Sequence, residues 1–131
     1  MILLDTNICI YVINQRPMSV LARFEAVPHR ELGISVVTYA ELQYGVEKSA
    51  FVQRNQNVLD EFVDRLEVVD WDRAAAKEHA LLRASLEKQG ITIGQLDLQI
   101  AAHAKSRNDV LVTNNLREFN RVPDLKLENW V

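Results

Sequence analysis

The 131-residue sequence is poor in the residues that mark several specialised classes of protein. Its single cysteine, Cys9, excludes an internal disulfide and a cysteine-based zinc finger. Four glycines and three prolines are too few for a linker or a low-complexity chain. No apolar run approaches the roughly 20 residues that span a bilayer, and Asp5 interrupts the first run too early for a signal peptide. We therefore expect a cytoplasmic protein without membrane contact.

The chain also lacks a large excess of charge of either sign. Fifteen Lys and Arg residues against eighteen Asp and Glu residues give a net charge of −3. This balance excludes a protein that coats nucleic acid by bulk positive charge, although a local basic patch can still bind RNA. Apolar residues make up 48% of the chain, which is enough for a sizeable core. Because no domain boundary is visible, we predict one domain over residues 1–131.

Short apolar runs alternate with longer segments of helical periodicity. The runs predict strands at 2–4, 33–37, 68–69, 110–113 and 125–130. The periodic segments predict helices ending near 15 and 27, then around 40–46, 52–65, 72–89 and 97–107, with Thr6 or Asn7 capping the first and Pro17 beginning the second. Strands separated by helices of this length indicate a mostly parallel sheet. The predicted fold class is therefore a three-layer α/β domain.

Acidic residues stand beside several of the predicted strands. Asp5 follows the first strand, and Glu41 lies in the first predicted turn of the helix after the second. Asp97 begins the helix that leads into the fourth strand, and Thr113 and Glu118 follow that strand. Ligands of open parallel sheets bind outside the carboxyl ends of the strands, so the side chains that follow strands are expected to converge. Asp97 joins them if the segment Gly94-Gln95-Leu96 lies at that edge of the sheet. Crowded carboxylates repel one another unless a cation such as Mg²⁺ or Mn²⁺ neutralises them.

Each acid also has a purely structural interpretation. Asp5 could cap the first helix, and Thr38 with Glu41 matches the spacing of a capping box. Asp97 could be favoured by the positive end of its helix dipole, and Glu118 could be a solvated loop charge. Taken one at a time, the residues leave these alternatives open.

Four blocks of sequence together are more specific than any single acid. They are Leu4-Asp5-Thr6-Asn7, Ser35 to Leu42 with Gly45 after it, Ile93 to Ala104, and Val112 to Phe119. In order and spacing, they resemble the PIN-domain ribonucleases and, within that family, the VapC toxins of bacterial toxin–antitoxin pairs. The resemblance covers nearly the whole chain.

The resemblance implies a parallel sheet of about five strands flanked by helices, with a metal-binding acidic site. The implied metal-site residues are Asp5, Glu41 and Asp97, and Glu118 matches a fourth, more variable acidic position of the family. Supporting polar residues would be Thr6, Thr113 and Asn115. Asn115 departs from the family pattern, because many relatives carry aspartate there, and this puts tight binding of a second metal ion in doubt.

The resemblance further implies Mg²⁺-dependent endonucleolytic cleavage of structured RNA, often tRNA, with Mn²⁺ as a possible substitute and arrest of translation as the result. Such toxins usually form homodimers, and a VapB-type antitoxin inhibits them and binds operator DNA through its own domain. Two other functions remain open: a PIN-like module that binds RNA or protein without catalysis, and a phospho-acceptor receiver domain. The receiver is disfavoured because Asp5 has no adjacent acid and no lysine follows the fourth strand.

Overall fold

A computed structural model describes all residues 1–131 and contains five strands and seven α-helices. The strands are β1 (Ile2–Leu4), β2 (Leu32–Ser35), β3 (Glu67–Val69), β4 (Val110–Val112) and β5 (Lys126–Glu128). The helices are α1 (Thr6–Ile13), α2 (Met18–Ala26), α3 (Val36–Glu47), α4 (Val52–Val63), α5 (Arg73–Lys88), α6 (Gln95–Arg107) and α7 (Leu116–Phe119). None of them is long and apolar enough to cross a membrane.

All five strands form one sheet in the order β3-β2-β1-β4-β5, and all four pairings are parallel. The central strand β1 places Leu3 beside Gly33 of β2 and beside Leu111 of β4. Every strand therefore ends at the same edge of the sheet. The predicted parallel α/β architecture is confirmed, and its carboxyl edge is the place where polar side chains can meet.

The sheet separates two apolar cores. Leu4 and Val112 belong to the core that α1 to α4 cover, whereas Leu3 and Leu111 belong to the core beneath α5, α6 and α7. Neighbouring strand residues face opposite ways because side chains alternate along a β-strand. The continuous apolar runs of the sequence thus reflect burial on both faces, and the three predicted layers are present.

The boundary between β2 and α3 lies earlier than the sequence predicts. Val36 and Val37 begin the helix instead of ending the strand, because the Ser35 side chain accepts the N–H of Val37 at 3.1 Å and caps α3. The capping box expected from Thr38 and Glu41 is therefore wrong. Glu41 lies one turn further into α3 than the first-turn position that we predicted.

Three other local features were predicted only in part or not at all. Asp5 caps α1 by accepting the N–H of Ile8 at 2.9 Å, which confirms its structural interpretation, whereas the caps predicted at Thr6 or Asn7 are wrong. Pro17 precedes α2 as its N-cap and is not its first residue. The short helix α7 was not predicted, because four residues are too few to show a helical period.

Two glycines test how tightly the sheet and the helices are packed. A Cβ on Gly33 would lie 2.6 Å from Met1 Sδ and 3.2 Å from the Glu67 carbonyl oxygen, whereas a Cβ on Gly45 would meet nothing within 4 Å. We expect Gly33→Ala to lower the free energy of unfolding by about 1–3 kcal/mol through overpacking. The helical control Gly45→Ala should raise it by up to about 1 kcal/mol. Urea unfolding measures both, and equal effects of the two substitutions would contradict the packing described for β2.

Candidate active site

Asp5 is held at the end of the central strand by its own backbone and by three hydrogen-bond donors. Its N–H donates to the Val112 carbonyl at 3.0 Å, which continues the pairing of β1 with β4. The carboxylate is only 5% exposed, and it accepts hydrogen bonds from the backbone of Asn7 and Ile8 and from the Thr113 hydroxyl. Burial raises the pKa of Asp5, and the three hydrogen bonds lower it to a smaller extent. The sheet thus fixes a poorly solvated carboxylate in one position.

Asp97 lies in the first turn of α6, close to Asp5 and Glu118. Burial is the largest cause that raises the pKa of Asp97, followed by the negative charges of Asp5 and Glu118. No hydrogen bond or cation acts in the opposite direction on this half-buried group. Three acids from distant parts of the sequence therefore share one electrostatic environment, as the sequence predicted for Asp5 and Asp97.

Glu118 joins this group through α7. Its Oε1 accepts the N–H of Gly94 at 3.2 Å, which ties α7 to the start of α6. The neighbouring Asn115 precedes α7 and is exposed, and its backbone N–H donates to Thr113 Oγ1 at 2.9 Å. Thr113 consequently bridges the backbone before α7 and the carboxylate of Asp5.

Glu41 lies on α3, and its charge is not among those that shift the pKa of Asp5 or Asp97. Thr6 Oγ1 donates to Thr38 Oγ1 at 3.4 Å, which connects the start of α1 to α3 one turn before Glu41. Glu41, Thr6 and Asn7 line one end of a groove of about 520 Å³ between α1, α3 and α4. Thr6 therefore contacts α3 and makes no hydrogen bond with Asp5.

The acidic residues of the candidate site have no cationic partner within the chain. None of its six ion pairs includes Asp5, Glu41, Asp97 or Glu118. No group of three or more acidic, histidine or cysteine side chains stands close enough to hold a metal ion together. Mg²⁺, however, commonly uses only one or two carboxylates and completes its shell with water or phosphate oxygens. The all-oxygen, uncompensated donor set of Asp5 and Asp97 fits such a cation.

Seven basic side chains near the first and the last helices of the chain are candidates for phosphate contacts, and they fall into two groups. Arg23, Lys105 and Arg107 form ion pairs, and Arg121 donates to the Thr92 carbonyl. Arg16, Arg30 and Arg117 are exposed and form no ion pair. Among these seven candidates, the three arginines are therefore free of ion pairs that would compete with an external anion.

Ser35 and His103 form a buried contact that the sequence did not predict. Nδ1 of His103 lies 2.8 Å from Ser35 Oγ, and Trp71 packs edge-on against the imidazole ring. The other ring nitrogen of His103, Nε2, is buried and forms no well-aligned hydrogen bond. No spacing signal links two residues that lie 68 positions apart.

Comparison with known protein families identifies the family of this chain. The model of the PIN domain matches residues 2–125. The chain belongs to the PIN-domain family. It is 47% identical over 129 residues to Ribonuclease VapC2 of Haemophilus influenzae, covering 98% of this chain and 97% of that protein. It is 48% identical over 128 residues to the tRNA(fMet)-specific endonuclease VapC of Shigella flexneri, covering 98% and 96% of the two chains.

Solved structures of VapBC complexes also contain chains that are similar to this PIN domain in sequence and in fold. VapBC2 from Rickettsia felis, bound to a DNA fragment from its promoter, matches with a TM-score of 0.93 and 46% identity over the full length of both chains. The DNA-bound VapBC from Salmonella typhimurium matches with a TM-score of 0.94 and 45% identity, covering 99% of this chain and 98% of the other. Within its family, the chain thus groups with VapC proteins.

The repulsion around Asp97 predicts that removal of its charge stabilises the metal-free protein. We expect Asp97→Asn to raise the Tm in EDTA, whereas the exposed-acid control Glu61→Gln should leave it nearly unchanged. Mg²⁺ should raise the Tm of the wild-type protein by mass action and that of Asp97→Asn much less. Differential scanning fluorimetry measures all these shifts. A lower Tm for Asp97→Asn in EDTA would contradict the electrostatic description.

The difference in Tm between Asp97→Asn and the wild-type protein should also depend on pH, in a direction that the raised pKa of Asp97 fixes. Because the pKa of Asp97 is raised above its usual 3.8, the folded state takes up this proton more readily than the unfolded state. The loss of folding stability caused by the charged Asp97 carboxylate is therefore present at neutral pH. It disappears as the pH falls through the folded-state pKa of this group. We expect the Tm advantage of Asp97→Asn in EDTA to shrink on acidification. A Tm advantage of Asp97→Asn that grew as the pH fell would contradict the raised pKa of Asp97.

Proposed function

We propose that this PIN domain is the toxin of a type II toxin–antitoxin pair, a Mg²⁺-dependent endoribonuclease that cleaves structured RNA, in particular tRNA, and so inhibits translation. The observation that carries the proposal is the meeting of Asp5, Asp97 and Glu118 at the carboxyl edge of the sheet without a cationic partner. The printed activities of the VapC relatives, ribonuclease and tRNA(fMet)-specific endonuclease, support the same chemistry.

Each acid has a role that follows from its position. Asp5 and Asp97 are the principal ligands of the cation, because Asp5 directly follows the central strand and the charge of Asp5 acts on Asp97, which has no hydrogen bond to offset it. Glu41 completes the ligand set or orients the attacking water as a base, and Glu118 holds outer water or a second ion. Thr113 fixes the Asp5 carboxylate through its hydroxyl, and Thr6 and Asn115 support the neighbouring backbone.

Asp5 and Asp97 would hold the divalent cation, which would supply a water molecule of lowered pKa and positive charge to stabilise the phosphate oxygens. Attack by water in line with the leaving oxygen leaves a 5′-phosphate and a 3′-hydroxyl, and it does not use the ribose 2′-hydroxyl. Arg117 stands on α7 beside Glu118 and supplies positive charge that attracts the RNA backbone to the otherwise acidic edge. Its exposure without an ion pair supports this role, whereas Arg30 precedes β2 at the opposite edge of the sheet and Arg16 lies beyond the far end of α1.

The partners of the chain follow from the VapBC complexes that it resembles. We propose that a VapB-like antitoxin binds this chain and inhibits it, and that operator DNA is contacted only through that antitoxin. We also propose that the toxin is a homodimer. The acidic edge is the natural target of an inhibitory segment, because a cationic side chain could neutralise the acids in place of the metal.

Cleavage of RNA by purified protein tests this function directly. We expect tRNA to be cut with Mg²⁺ and left intact with EDTA, and Asp5→Ala or Asp97→Asn to lose at least about 100-fold in rate because a metal ligand is removed. Glu61→Gln is the control and should cut at the wild-type rate, since this side chain is exposed on α4. Mapping of the product ends should give 5′-phosphates.

Two results would contradict the proposal. Products that end in a 2′,3′-cyclic phosphate would rule out hydrolysis by water. Equal survival of RNA with the wild-type protein and Asp5→Ala, both with Mg²⁺ and with EDTA, would instead favour a PIN-like module that binds RNA or protein without cutting.

A further inference from the structure

A buried hydrogen bond joins the two helices that carry Glu41 and Asp97. Ser35 is the N-cap of α3, and its Oγ lies 2.8 Å from Nδ1 of His103 in α6. Helix α3 also packs directly against α6. Glu41 lies six residues after Ser35, and Asp97 lies six residues before His103. The hydrogen bond is therefore the polar link between the two acid-bearing helices.

The Ser35 hydroxyl has two functions at this link. It accepts the N–H of Val37 at 3.1 Å, which caps α3, and this leaves its proton free for donation to Nδ1 of His103. Both side chains are essentially inaccessible to water, so no solvent competes for the hydrogen bond. Burial, followed by the nearby charge of Arg107, lowers the pKa of His103, which favours the neutral ring that can accept this proton.

His103 has few polar neighbours besides Ser35. The backbone of Asp70 lies beside its ring and acts to raise its pKa, although Nε2 itself forms no well-aligned hydrogen bond. The ring packs against Trp71 with centroids 5.5 Å apart. A buried polar atom without a partner costs stability, and an apolar side chain of similar size would avoid that cost. The bond to Ser35, at 2.8 Å, is a direct side-chain contact that an apolar side chain could not reproduce.

We propose that Ser35 and His103 are positioning residues of the nuclease site, whose hydrogen bond holds Glu41 on α3 at a fixed distance from Asp97 on α6. The proposal rests on the proposed function, because the two acids have catalytic roles only there. Six helical residues span about 9 Å along a helix axis. A small change of angle at the Ser35–His103 contact is therefore enlarged at the carboxylates.

Substitutions on either side of the hydrogen bond test this role. His103→Leu breaks the bond but leaves the α3 cap intact, and Ser35→Ala removes both. We expect each to lower kcat for tRNA cleavage by about 10- to 100-fold, with little change in KM for tRNA, and to raise the Mg²⁺ concentration for half-maximal activity. The double variant should be no worse in kcat than Ser35→Ala, because both single changes break the same contact.

Rescue and a stability control separate positioning from folding. His103→Asn puts an amide near the place of Nδ1, and we expect it to recover most of kcat. Val20→Ala removes core volume in α2, remote from the contact, and should lower the Tm while keeping kcat at the wild-type value. Activities are compared well below the Tm of each variant.

A second readout uses Mg²⁺ alone and does not depend on RNA cleavage. The Mg²⁺ concentration that gives half of the maximal Tm shift should rise for His103→Leu and return towards wild type for His103→Asn. Wild-type kcat and Mg²⁺ dependence in His103→Leu would overturn the proposal, as would a loss in Val20→Ala of the same size. If wild-type protein bound Mg²⁺ but cut no RNA, the proposed function would fail while the Mg²⁺ titration still decided the positioning role.

Discussion

Repulsion between carboxylates at the carboxyl edge of a parallel sheet is the constraint around which this molecule is built. Asp5, Asp97 and Glu118 come from three separate segments, and the fold brings them together where burial and mutual repulsion both disfavour charge. A sequence selected for stability alone would place an arginine or lysine beside them, and this chain places its ion pairs elsewhere. Such a cost is characteristic of a site that binds a cation.

The rest of the fold holds these acids in position. Asp5 follows a strand whose Leu3 and Leu4 are buried in opposite cores, so its backbone is fixed from both sides of the sheet. Asp97 stands on α6, whose middle is buried from Leu98 to Ala104 apart from half-buried Gln99. The acids can therefore remain close together without relaxing away from one another, because movement of either would disturb a packed core.

Much of this arrangement could be predicted from the sequence, and the reasons are local. The apolar runs at Ile2–Leu4 and Val110–Val112 are short and flanked by helical periodicity, which indicated buried parallel strands. Asp5 could be placed at the site because it directly follows such a strand, whereas the placement of Asp97 depended on where α6 begins and on the resemblance to PIN-domain ribonucleases. Glu41 was placed one turn too early, since the pattern from Thr38 to Glu41 imitates a capping box while Ser35 provides the actual cap.

Other parts of the site depend on contacts between distant residues and leave no pattern in the sequence. The bond of Glu118 to the Gly94 N–H and the contact of Ser35 with His103 join residues 24 and 68 positions apart. Residue types alone do not reveal such pairs, because a serine before a helix and a histidine within a buried helix each have an ordinary explanation. Three-dimensional packing is what gives them a common role.

A crystal of this chain soaked in Mn²⁺ tests the central claim most directly. The account predicts an anomalous difference peak between the carboxylates of Asp5 and Asp97, and loss of that peak in Asp97→Asn. Absence of manganese between these two side chains in well-ordered wild-type crystals would contradict it. The acidic group would then need a different explanation from the binding of a divalent cation.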